Sequence, residues 1–162
     1  MSPAWQMQAT VDGETIRNWW EARPEANVIL VTGRVFDVLD VPALAGATAL
    51  ARMGAAGAET GPVAVLGAER MLFFVATRGA PADEAEWWSC GLDASPDFSA
   101  ETEALRWHCR DSYVLAPPSR LRDGQDVRWV RQPAGQSLPD GPLPDGLRLL
   151  EYLVDACEEE GR

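Results

Sequence analysis

Apolar residues recur at Ile16, Trp19 and Trp20, the i, i+3, i+4 spacing of one helical face. Asp12 stands just before them, where a carboxylate accepts the unsatisfied first-turn amides, and Pro24 stands just after. The pattern therefore predicts a helix over Gly13–Ala22. The pattern then shortens. Residues 27–32 are a β-branched run, Gly33 interrupts it, and residues 35–41 form a second run; both read as strands, the first apolar enough to be buried on both faces. Pro42 suits the first turn of a following helix, reaching about Met53, which is rich in small residues and is expected to pack closely through Leu44, Leu50 and Met53; Gly54 and Gly57 end it. Residues 62–66 and 71–76 predict a hairpin around a turn at 67–70. Strand candidates follow at 105–109, 113–116 and 127–130, and Pro117-Pro118 must leave any ladder because neither has an N–H to donate. A last helix over 145–159 carries the stripe Leu147, Leu150, Leu153, Val154 and Cys157. Helices and strands alternate early and hairpins follow, which predicts an α+β (mixed α/β) fold, a sheet covered by helices.

Composition narrows the class. The 162 residues, 46% hydrophobic and 24% charged, are those of one folded domain, with a Pro- and Gly-rich connector over 133–144 leading to the last helix. No stretch approaches a membrane span and the start lacks a secretion signal, so neither insertion nor export is expected. Cys90, Cys109 and Cys157 form neither a disulfide framework nor a metal-ligand spacing, which fits a reduced, cytoplasmic setting. All 14 basic residues are Arg, against 25 acids, and the net charge of −11 repels nucleic acid unless positive charge is gathered locally. Residues 105–131 are the place where that happens: Arg106, Arg110, Arg120, Arg122, Arg128 and Arg131 face only Asp111, Asp123 and Asp126. Residues 79–103 are the reverse, with seven acids and no Arg.

Three segments resemble a known family. Ala9-Thr-Val-Asp12, Ile16, Trp19-Trp20, Pro24, Ala26-Asn27 and Thr32-Gly33 resemble the opening block of the primase-polymerase domain of the archaeo-eukaryotic primase superfamily. Val38-Leu39-Asp40-Val41 resembles its metal-carrying strand, and residues 111–119 (DSYVLAPPS) resemble its Tyr-Val-Val-Ala-Pro-Pro-Ser block. The resemblance, to the bacterial bifunctional DNA primase/polymerase N-terminal domain, implies a mixed sheet with flanking helices and a two-metal site using Mg²⁺ or Mn²⁺. It also implies nucleoside triphosphates and a single-stranded or primed DNA template as partners. The family's usual domain begins earlier, with a further strand and a Lys-Pro element, so the form is expected to be N-terminally short.

The family's chemistry needs an acid-x-acid pair on one strand and a third acid on another, because alternate strand residues share a face and can hold one cation together. The resemblance puts Asp40 on the first acid and Pro42 on the second; the other acid, Asp37, is three residues away and needs a bulge to share the face of Asp40. Counting back from Tyr113, the third acid's position is Arg106, and where the family has a phosphate-contacting histidine the chain has Glu69, Arg70 and Met71. Asp40 and Asp37 are thus the candidate catalytic and metal residues, and Arg70, Ser119, Arg120 and Arg122 the candidate phosphate-binding ones. Trp107 and Trp129 are open to two readings, base stacking or core. The sole histidine, His108, is read as structural or surface rather than as a metal ligand.

Template-dependent nucleotidyl transfer with a degenerate metal motif is the leading expectation. A non-catalytic nucleotide- or DNA-binding or regulatory module is the first alternative, with a replication or mobile-element protein as its partner. An acidic protein-interaction domain is the second.

Overall fold

The computed structural model describes residues 5–77, 105–110, 112–133 and 143–161. A short 3-10 turn at Trp5–Gln8 leads to α1 (Gly13–Ala22), β1 (Val28–Val31), β2 (Phe36–Pro42), α2 (Ala43–Ala55), β3 (Val63–Leu66), β4 (Arg70–Ala76), β5 (Arg106–His108), β6 (Tyr113–Ala116), β7 (Val127–Arg131) and α3 (Gly146–Glu160). The architecture is α+β. Five strands form one sheet in the order β5-β2-β4-β3-β7, and β1 pairs with β6 in a second, two-stranded sheet. Each of these ladders is antiparallel, and a parallel bridge joins Ala76 to Asp145. The acidic 79–103 stretch, with Trp87-Trp88, and most of the 133–144 connector lie outside the described residues.

The larger sheet separates two cores. On one face Leu39, Val41, Val63, Val65, Met71, Phe73, Val75 and Trp107 pack beneath α2 and α3. On the other, Phe36, Val38, Ala64, Leu66, Leu72 and Phe74 meet Val114 and Leu115 of β6 and Leu30 of β1. The ring of Phe74 lies 5.4 Å from those of both Phe36 and Trp129. Trp107 is therefore a core residue, and Trp129, half-buried on β7, packs against the second core.

Local rules place most ends. Asp12 accepts the Thr15 amide at 2.7 Å, and hydrogen bonding from the Thr15 side chain first and its amide second holds the carboxyl below its ordinary value; Asp145 accepts the Leu147 amide at 2.9 Å. Gly67 turns the β3–β4 hairpin with a φ of 57°. Three expectations change. Strand β1 is not buried on both faces: it sits in the small sheet, and Ile29 is 40% exposed. Helix α2 buries Ala45, Gly46, Ala49 and Met53 while Leu44 is exposed, because small residues let the backbone come close to Met71. Helix α3 buries Gly146, Leu149, Leu153 and Ala156, so its inward face is rotated from the predicted stripe and Leu147 is 42% exposed. Contact of Gly146 with Trp107 and Val75, and of Ala156 with the first core, selects that rotation.

The two faces of α3 predict opposite responses. Leu153→Ala should lower the unfolding free energy by about 2–5 kcal/mol, and Leu147→Ala should stay within about 0.5 kcal/mol of the parent, both read by urea denaturation. Equal losses would contradict the rotation.

Candidate functional site

Strand β2 is flanked on both sides, by β4 and by β5, and its register with β4 is unbroken from Phe36↔Ala76 to Pro42↔Arg70. With no bulge, successive side chains alternate strictly between the two faces. Asp37 falls with Leu39 and Val41 on the helix-covered face, whereas Asp40 falls with Phe36 and Val38 on the other. Both carboxylates are almost fully buried. The structure does not bring the two candidate metal ligands together: the three-residue spacing keeps them on opposite sides of the sheet.

Cationic and polar groups from the neighbouring strands gather around Asp40. The register sets Arg106 of β5 directly across from it, and His108 across from Val38, on the same face. From β4, Arg70 donates through Nε to Asp40 Oδ1 at 2.7 Å and through Nη2 to the Asp40 carbonyl at 3.0 Å. His108 Nε2 lies 3.2 Å from Asp40 Oδ2, and its Nδ1 lies 3.0 Å from Ser112 Oγ. A carboxylate only accepts, so Nε2 carries the proton, and in the neutral ring Nδ1 accepts the Ser112 hydroxyl. Ser112 is delivered by a crossing of loops. The Thr32 amide donates to the Ser112 carbonyl at 3.1 Å, and the Thr32 hydroxyl donates to the Cys109 carbonyl at 2.6 Å. Gly33 makes that crossing feasible: its φ is 79°, and a Cβ there would collide with the Arg110 backbone.

The other candidate phosphate ligands stand elsewhere. Ser119 is buried; its hydroxyl accepts the Val28 amide at 2.8 Å and donates to the Val28 carbonyl at 3.3 Å, so it ties the start of β1 to the segment after β6. Asn27 grips the backbone of Arg120 through two bonds of 2.9 Å, and the Arg120 side chain pairs with Asp126 at 3.1 Å in solvent. Arg122 is exposed in the turn that follows. Arg128 and Arg131 belong to β7, at the opposite edge of the sheet from Arg106, about 19 Å away across four strand spacings. Arg131 donates to the Thr60 hydroxyl at 2.7 Å. The Arg-rich segment is thus divided between sheet edges and does not form one surface.

A family model described as bifunctional DNA primase/polymerase, N-terminal (Prim-Pol) matches residues 1–145. The chain belongs to the Prim-Pol family. No curated protein matches it. Membership carries a primase/polymerase-like function, with nucleotides and DNA as the general class of partner. Among the described residues no helix is long and apolar enough to cross a membrane.

The metal pair implied for a Prim-Pol centre can be tested against these side chains. Asp40 meets a guanidinium on one oxygen and an imidazole on the other, so a cation would have to displace them and tolerate Arg70 beside it. Asp37 is on the wrong face, position 42 is a proline, and position 106, opposite Asp40, is an arginine. No cluster of three or more His, Cys, Asp or Glu able to hold a metal occurs among the described residues. The donor set among the described residues therefore does not fit a divalent pair. Sequence reasoning missed His108 and Ser112 as members of the site; the available signal was the alternation Arg106-Trp107-His108, which puts two basic side chains on one strand face.

Removing the shared acceptor should be costly. Asp40→Ala should destabilise by about 3–5 kcal/mol, because Arg70 and His108 are left buried without their carboxylate. Asp40→Ala combined with Arg70→Met should recover part of that loss in the same denaturation assay. A cost below about 1 kcal/mol, typical of an exposed pair, would contradict the network.

Proposed function

We propose that this domain is a non-polymerising member of the Prim-Pol family, a binding module for the phosphates of nucleotides or single-stranded DNA. One observation carries the reading: the only acid on the Asp40 face among the described β2, β4 and β5 residues is already held by Arg70 and His108. Two-metal transfer needs carboxylates that converge on cations about 4 Å apart, and here arginines stand around a single carboxylate instead. Arg70 and Arg106 lie on that face beside Asp40, within a protein of net charge −11. Guanidinium groups suit phosphate, whose oxygens accept bidentate guanidinium bonds.

A second reading, docking to another protein, is favoured by the scatter of Arg120, Arg122, Arg128 and Arg131. Helix α1 supports it too: none of its residues is buried, and it leaves Trp19 exposed.

Primer extension with labelled nucleotides in Mn²⁺ should give no incorporation above that of Asp40→Ala. A labelled single strand should bind and weaken steeply as salt rises, since phosphate contacts release counterions. Template-directed incorporation that disappears in Asp40→Ala would overturn the non-polymerising reading. Absence of salt-sensitive binding would shift the account to protein docking.

A further inference from the structure

Soluble proteins guard the edge strands of their sheets against pairing with other chains, by charge, by proline or by a bulge. Both edges of the larger sheet follow that rule. Strand β5 carries Arg106, and β7 carries Arg128 and Arg131 and shifts register against β3. Strand β1 has none of these devices. Its residues, Val28-Ile-Leu-Val31, are all apolar, and its register with β6 is unbroken. The Val28 amide and carbonyl both meet the Ser119 hydroxyl, and the Thr32 amide donates to the Ser112 carbonyl, so the even-numbered residues turn their backbone groups toward β6. By alternation the amides and carbonyls of Ile29 and Val31 point the other way, along the outer edge of a sheet that has only two strands. The Ile29 side chain is exposed and Leu30 packs on the second core, so this edge is apolar and held in place.

Charge at the two ends of the strand selects the occupant. Glu25 precedes β1 and Arg34 follows it, with no charged residue between them, and neither forms an ion pair with a described residue. A second β1 laid antiparallel on this edge brings the Glu25 end of each strand to the Arg34 end of the other, whereas a parallel one sets like charges together. A two-fold axis beside Leu30 generates the antiparallel arrangement. It pairs Ile29 of one copy with Val31 of the other, the residues whose backbone groups face outward. We propose that the outer edge of β1 binds the same edge of a second copy of this chain, joining their two-stranded sheets into one of four strands. Backbone hydrogen bonds make the contact, the apolar side chains exclude water from it, and Glu25 with Arg34 sets its direction. The net charge of −11 on each copy opposes approach at low ionic strength. At about 0.15 M salt the Debye length is about 8 Å, which confines that repulsion to near neighbours. This interface does not depend on the phosphate-binding reading.

Sedimentation velocity of the whole chain at that salt, over a concentration series reaching the millimolar range, should show a monomer–dimer equilibrium. Hydrogen exchange on the same samples should find the Ile29 and Val31 amides protected at the concentrated end and released on dilution. Ile29→Pro removes an outward N–H that the monomer leaves unpaired. It should weaken the dimer by about tenfold or more, one hydrogen bond being lost from each copy, with circular dichroism checking the fold. Charge reversal carries the test even if that variant does not fold. Glu25→Arg and Arg34→Glu should each weaken the dimer about tenfold, because like charges then meet at both ends. The double variant Glu25→Arg/Arg34→Glu should return it to within about threefold of the parent. A monomer at every concentration would overturn the proposal. So would Ile29 and Val31 amides protected equally at all dilutions, which would place the cover of this edge within a single chain. A dimer indifferent to these variants would move the interface elsewhere, and a double variant that fails to recover would rule out the antiparallel pairing.

Discussion

A carboxylate buried on a central strand of an apolar sheet has to be satisfied by its neighbours, and at Asp40 both neighbouring strands contribute. Arg70 reaches it from β4 and His108 from β5, so three strands are fastened side to side at one level of the sheet. Taking such a charge out of water costs several kcal/mol, and the cost is met only if each oxygen keeps a well-placed donor. That requirement fixes more than one contact. It demands the register that puts Arg106 and His108 on the Asp40 face, and the loop crossing at Gly33 that places Ser112 behind the imidazole.

The alternation of β2 decides what else the site can be. Asp37 and Asp40 are close in sequence, but a straight strand sends one beneath the helices and the other toward the β1–β6 layer. Each carboxylate is committed to its own side of the sheet. Membership of the Prim-Pol family and the absence of a fitting donor pair among the described residues are compatible, because the scaffold depends on the apolar alternation of the strands. Metal chemistry would depend instead on a few acids, and the β2 and β5 positions beside Asp40 hold Pro42 and Arg106.

Much of the fold was legible because local rules set it. Asp12 and Asp145 mark helix starts, Gly67 marks a hairpin, and β-branched runs mark strands. What was hidden depended on residues far apart in the chain. The inward face of α3 was chosen by Gly146 meeting Trp107, a contact that the helix's own leucine spacing does not encode. Strand β1 read as buried because it is apolar, yet its place in a two-stranded sheet leaves Ile29 in solvent. The bond between His108 and Asp40 spans 68 residues, so an isolated histidine in the sequence showed no partner. Local charge counting failed for a related reason: β5 and β7, adjacent in the Arg-rich segment apart from β6, lie at opposite edges of the larger sheet.

The central claim is that Asp40 is held by the protein's own cationic and polar side chains and not by a metal ion. Electron paramagnetic resonance of Mn²⁺ mixed with the full chain tests this most directly, because the sharp six-line signal of hydrated Mn²⁺ broadens and loses amplitude when the ion binds protein carboxylates. The account predicts that any loss of signal is the same for the parent and for Asp40→Asn. A bound population present in the parent and absent from Asp40→Asn would contradict it and return Asp40 to the role of metal ligand.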